Sequence, residues 1–270
     1  MELTYSSMYT DLPEQLNKWI GSHCPEEDSV GLSVSSVLLY PDFVLKISPS
    51  GVESRTEASM MKWLRGKLPV PEVIEYLSKD GKDYLLMERL PGEMSCSPRM
   101  ESDPVKLVSL LASALKMWWS VDPKGCPSDQ TLDVKLRFAE ENVLSGYAST
   151  ENTQPDTYGP DGFESPSHLL KWLKENRPEE DLVVTHGDFC LPNIYFSGNT
   201  LTGFLDLSRS GISDRWQDIA LCWRSLQDHL TGRYASVPIN EHYEDLLFEY
   251  LGIEKDEEKL RYYILLDELF

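Results

Sequence analysis

The chain has no apolar run approaching the roughly 18 residues that a membrane-spanning helix requires. Paired cysteines are missing too. Cys24, Cys96, Cys126, Cys190 and Cys222 are odd in number and scattered, with no C-x-x-C among them. That pattern argues against a disulfide scaffold and a zinc site, and it predicts a reduced, cytoplasmic protein. The opening residues, "MELTYSSMYTDL", hold neither the basic nor the apolar segment of a secretory signal. Basic residues are scarce: 25 Lys and Arg stand against 45 Asp and Glu, a net charge of −20. A field of that sign repels nucleic acid and anionic membranes and draws cations inward, although solubility alone also explains it.

What is present is enough apolar material for a sizeable core, 41% of 270 residues. "DLPEQLNKWI" places Leu12, Leu16, Trp19 and Ile20 on one helix face, with Asp11 as N-cap. "SVGLSVSSVLLYPDFVLKI" predicts two strands, and "ESRTEASMMKWLRGKL" a helix with Met60, Met61 and Leu64 inward. "EVIEYLS" and "DYLLMER" predict two more strands around a turn at 79–82. After Met87 the pattern breaks at Pro91-Gly92, and helices dominate: one opening at Asp103-Pro104, then 133–146, 166–176, 216–230, 239–251 and 255–268. Residues 149–166 predict a long loop, and 183–211 the one β segment of this half. The expectation is an α+β fold of two lobes: a small β-rich lobe at 1–87, a linker at 88–92 and a mainly helical lobe at 93–270. This is a protein-kinase-like bilobal arrangement with a nucleotide in the cleft.

Within "VVTHGDFCLPNIYFSGNTLTGFLDLSRSG", Asp188 precedes Asn193 by five positions, and Asp206 follows one hairpin later. Each alone reads as a turn or strand-end residue. In this order they match a phosphotransferase site, where one Asp takes a hydroxyl proton while an Asn and a second Asp hold magnesium. The first lobe supplies the partners such a site needs: Lys46 late in a strand and Glu57 in the next helix, with Glu53 and Arg55 nearby. "GLSVSSV" lies where a phosphate-covering loop belongs, but lacks the G-x-G-x-x-G of protein kinases. His186 reads as a residue that orients the loop, and Cys190 has no base to make it a nucleophile.

"VTHGDFCLPNIYF", "GFLDLSRSGISDRWQDIALCWRSL", "WLRGKLPVPEV", "YLLMERLPGE" and "RYYILLDELF" resemble the aminoglycoside 3′-phosphotransferases, from about Gly31 to Phe270. The resemblance implies a kanamycin/neomycin kinase that uses ATP and Mg²⁺; the sequence does not choose between ATP and GTP. It implies Asp188 as catalytic base, Asn193 and Asp206 as metal ligands, and Ser33, Lys46, Glu57, Met87 and Leu90 around the nucleotide. It further implies Asp156, Asp161, Glu164, Arg209, Asp228, Asp267, Glu268 and Phe270 around a cationic aminoglycoside. Val44 departs from the pattern, standing where some relatives place an aromatic residue. The partners implied are the drug and no nucleic acid or membrane, for a monomer or homodimer. The alternatives are a kinase of the same fold acting on choline, homoserine or a sugar, and a catalytically silent binding protein.

Overall fold

The computed structural model describes residues 12–20, 25–27, 35–151, 153–154, 156–160, 162–230 and 242–270. Asp11, Ser33 and Asp161 lie outside them. A 3-10 turn at Glu14–Leu16 runs into α1 (Asn17–Ile20). Then come β1 (Glu26–Glu27), β2 (Ser36–Leu39), β3 (Phe43–Pro49), α2 (Val52–Leu64), β4 (Val73–Lys79) and β5 (Lys82–Glu88). The strands pair antiparallel in the order β1-β2-β3-β5-β4. β5 lies between two neighbours, and its interior from Asp83 to Met87 is buried throughout. Its side chains alternate between two cores. Tyr84 and Leu86 join Leu16, Ile20, Leu38, Tyr40 and Leu45, whereas Leu85 and Met87 join Met60, Met61 and Leu64 of α2.

The expected apolar face at 12–20 holds for Leu12, Leu16 and Ile20, which pack on the sheet, but Trp19 is 41% exposed. A helix of four residues is too short for a full stripe, and the i, i+4 series Leu12/Leu16/Ile20 covers the sheet. The β4–β5 turn is the tight Asp-Gly hairpin its sequence predicts, with Asp80 at φ 52° and Gly81 at φ 75°.

The second half contains β6 (Glu93–Met94), α3 (Pro98–Glu101), α4 (Pro104–Trp119), α5 (Leu132–Ser145) and α6 (Pro166–Glu175). It continues with β7 (Leu182–Thr185), β8 (Ile194–Ser197), β9 (Thr200–Phe204), β10 (Gly211–Asp214), α7 (Arg215–Leu230), α8 (Leu246–Leu251) and α9 (Glu257–Asp267). Asp103 caps α4 as expected, its carboxylate accepting the Lys106 N–H at 3.1 Å. Two strands were not expected. β6 pairs with β8 over two residues, and β10 has one apolar residue in four and so carries no periodic signal. Residues 211–214 are a strand because their backbone pairs antiparallel with β7, Gly211 opposite Thr185 and Asp214 opposite Leu182. The helix expected at 239–251 is shorter among the described residues, a 3-10 turn at Tyr243–Asp245 leading into α8. One continuous core runs from Met60 and Leu85 through Leu111 and Trp118 to Phe204 and Leu266, and it welds the sheet to the helices.

Asp83 is the polar centre of the first half. It is 1% exposed and accepts hydroxyl donors from Ser50 (2.7 Å), Ser54 (2.5 Å), Tyr76 (2.9 Å) and Ser78 (2.5 Å). Burial works against the charge, but Ser54, Ser78, Ser50 and Tyr76 outweigh it and hold the carboxyl well below the usual carboxylate range. Asp83→Ala strands four hydroxyls and is expected to lower unfolding free energy by about 3 kcal/mol, read by urea denaturation. Because the folded-state pKa is depressed, this contribution is complete above the unfolded pKa of about 4 and fades as pH falls below it. Wild type should therefore converge toward the variant in acid.

Candidate active site

The loop that leaves β7 is shaped by one glycine and one buried acid. Gly187 has φ +86°, and a Cβ there would lie 1.9 Å from the Arg209 carbonyl oxygen. Only glycine lets the loop 205–210 approach this closely. Asp218 of α7, fully buried, receives the His186 and Gly187 N–H groups at 2.7 Å, one on each carboxylate oxygen. Burial pushes the Asp218 carboxyl up to about 7, against those two donors and the charge of Lys135. Asp188 emerges from this anchor. Asn193 Nδ2 donates to its carboxylate and to its carbonyl, both at 3.0 Å. His186 Nδ1 accepts the Asp188 N–H at 3.3 Å while its ring packs against Trp118, Phe189 and Phe204. Burial lowers its pKa and keeps the ring neutral. The Cys190 thiol is pushed well above its ordinary value by burial and by Asp188, so it is a protonated bystander.

Lys46 joins the halves. Its ammonium lies 2.9 Å from Glu57, which is 2% exposed, and 3.2 Å from Asp206. Of the three charged candidates on α2, Glu57 is the one that meets the lysine. Burial disfavours the ammonium, but the two carboxylates outweigh it and raise its pKa. Asp206 sits at φ +56°, a left-handed conformation uncommon for a residue with a side chain, held by Lys46 and by the Ser208 hydroxyl at 3.0 Å. Burial favours its neutral form, yet Lys46 and Ser208 bring its pKa below the usual value. The Leu205 N–H donates to the Asn193 carbonyl at 2.8 Å, which ties this cluster to the Asp188 loop. Among the described residues no group of three or more His, Cys, Asp or Glu is arranged to hold a metal. The donor set instead offers two hard oxygen sources, the Asn193 amide and the Asp206 carboxylate. That is the sparse set suited to magnesium, which takes its remaining ligands from phosphates and water.

Met87 pairs with Val44 across β3–β5, and Leu90 fills the space that Gly203 leaves open on β9. The acids expected around a cationic ligand divide into two groups. Asp267 gives one oxygen to Arg209 (3.2 Å) and the other to Arg224 (2.7 Å), and the Phe270 ring lies 5.1 Å from the Arg209 guanidinium. Burial disfavours its charge, but Arg224 and Arg209 keep the Asp267 carboxyl below its usual range. Both its oxygens are therefore committed within the protein. Glu268 and Asp228 converge on Gln154 of the 149–166 loop, which donates its N–H at 2.9 Å and its side-chain amide at 3.4 Å. Asp156 pairs with Arg261 at 3.3 Å, and Glu164, 83% exposed, pairs with His168 at 3.1 Å. Among the described residues no hydrogen bond or ion pair joins those last two to Asp267.

A family model described as the phosphotransferase enzyme family matches residues 26–251. The chain belongs to that family. An aminoglycoside 3′-phosphotransferase of Enterococcus faecalis is 36% identical over 269 residues, covering 95% of this chain and 97% of the relative. The solved aminoglycoside-3′-phosphotransferase of type VIII superposes with a TM-score of 0.77 at 27% identity, over 91% of this chain and 94% of its own. A second phosphotransferase structure, from Streptomyces rimosus in complex with ADP and streptomycin, is alike in fold, with a TM-score of 0.76 at 21% identity over 94% and 95%. This phosphotransferase is an enzyme of the α+β, bilobal protein-kinase-like class, as its sequence predicts.

Three charged residues that brace this cluster escaped the sequence reading: Lys135, Asp218 and Arg224. "RWQDIALCWRSL" shows an amphipathic helix in which Asp218 and Arg224 pass for surface charges. No sequence signal marks Asp218; the structure buries it fully, between Gln217 and Ile219, on a helix buried along most of its length. Asp218→Ala removes the acceptor for two buried N–H groups and should cost about 3 kcal/mol in chemical denaturation. Activity should fall in that variant even under conditions where it remains folded.

Proposed function

We propose that this phosphotransferase moves the γ-phosphoryl group of ATP to the 3′-hydroxyl of kanamycin- or neomycin-type aminoglycosides, and so confers resistance. The observation that carries this is the junction of Lys46–Glu57–Asp206 with Asp188–Asn193, in a chain 36% identical to a 3′-phosphotransferase. Asp188 accepts the proton of the attacking hydroxyl. The Asn193 amide holds one carboxylate oxygen and leaves the other to face the sugar. Lys46, fixed between two carboxylates, meets the nucleotide phosphates without having to reorganise. Asn193 and Asp206 hold Mg²⁺, which neutralises charge on the phosphates when bound. The transfer is direct and in line, since neither the protonated Cys190 nor the neutral His186 offers a covalent route.

Met87 and Leu90 border the adenine and Ser33 the phosphates. Residues 88–92 join a lobe at 1–87 to one at 93–270. Gly92, at φ +102° and tight against the Phe196 carbonyl, fixes where that linker lands. On the drug side Asp228 and Glu268 reach ammonium groups together with Asp156, Asp161, Glu164 and Phe270. Asp267 reaches an amine only by releasing Arg209 or Arg224. No helix among the described residues is long and apolar enough to cross a membrane. A cytoplasmic monomer or homodimer, with no nucleic-acid or membrane partner, fits the charge of −20.

Coupled ADP release tests the assignment. Kanamycin should be turned over and tobramycin, which lacks the 3′-hydroxyl, should not; equal turnover of both would sink the regiochemistry. Asp188→Ala should lower kcat by about 10²- to 10⁴-fold with little change in stability, and full activity in that variant would sink the mechanism.

A further inference from the structure

Helix α5 sends Lys135 inward. The helix buries Leu132, Leu136 and Ala139 on one stripe, and position 135 falls on that stripe with 3% of its surface exposed. Among the described residues its ammonium forms no hydrogen bond and no ion pair. The ring of Phe270 lies 5.9 Å away. A buried cation without a direct partner costs stability, and a methionine at this position would fill the stripe without that cost. The surroundings supply a reason for the lysine. The same Phe270 ring lies 5.1 Å from the Arg209 guanidinium that Asp267 holds. Four charged groups act on the ammonium through space, each from a different element: Asp188 after β7, Arg209 after β9, Asp218 on α7 and Asp267 at the end of α9. Three of them are carboxylates.

We propose that Lys135 is a positioning residue for phosphoryl transfer, whose charge ties the Asp218 anchor of the Asp188 loop to the Asp267 anchor of the two arginines. Its charge favours the ionised forms of Asp218 and Asp267, the forms that accept the His186 and Gly187 N–H groups and the guanidinium groups of Arg209 and Arg224. Without it, Asp218 moves further toward the neutral acid, which holds the loop with one acceptor fewer. Burial brings the Lys135 ammonium itself down to about 8. The charge is therefore present at neutral pH and is lost as pH rises through that value.

The inference rests on the phosphotransferase reading, which kanamycin turnover by the wild type tests separately; the variants are scored against wild type. For Lys135→Met, the expected result is an unchanged or higher Tm, a kcat lower by roughly ten-fold or more, and a KM for kanamycin within about three-fold. For Lys135→Arg, kcat should recover to within about three-fold of wild type. The alkaline fall in kcat near pH 8 should also disappear, because a guanidinium stays charged. Lys135→Met with activity within two-fold of wild type would overturn the proposal. So would a Tm that drops along with kcat, which marks a mere strut, or an alkaline limb that persists in Lys135→Arg. Should Lys135→Arg not fold, the split between Tm and kcat in Lys135→Met decides alone.

Discussion

One ammonium group sets the relation between the two halves of this phosphotransferase. Lys46 belongs to the central sheet, and its two carboxylate partners come from α2 and from the turn after β9, 160 positions away in the chain. Both acids lean on it: Glu57 is buried, and Asp206 is held in a left-handed conformation. A buried charge in this setting is tolerable only when its partners are already in position. The ion triad therefore demands that the sheet and the helical half meet in a single register. The continuous core from Met60 to Phe204 provides that register.

A related economy governs the other side of the site. The protein is strongly acidic, yet the surroundings of Asp188 contain Arg209, Arg224 and Lys135. The acids there are compensated locally: Asp267 by two arginines, and Asp218 by two backbone N–H donors and a distant lysine. The excess negative charge of the chain is left to the surface and to the 149–166 loop, where Asp156 and Glu164 are exposed. Attraction of a cation and orientation of the reacting groups are thus tasks of different residues. The first is long-ranged and depends on ionic strength; the second is local and screened very little.

Much of this was legible in the amino acids. Period-two patterning placed β3, β4 and β5, the Asp-Gly turn placed the hairpin, and the spacing of Asp188, Asn193 and Asp206 marked residues that the fold brings into one cluster with Lys46. What the sequence concealed has a common cause. β10 is a strand only because a distant strand pairs with it, and tertiary packing alone buries Lys135 and Asp218 and sets Arg224 against Asp267. A charged residue on an amphipathic helix looks the same in one dimension whether it faces water or a catalytic loop. Asp267 shows the converse. Its type and place in the chain were plain, but the structure gives both its oxygens to arginines.

The thiol of Cys190, two residues beyond Asp188, bears on how such an enzyme is inhibited. A cysteine this near the proposed catalytic aspartate is the natural target for an electrophilic warhead. Here burial and the neighbouring carboxylates keep the sulfur protonated, and the thiolate that would attack is the scarce form.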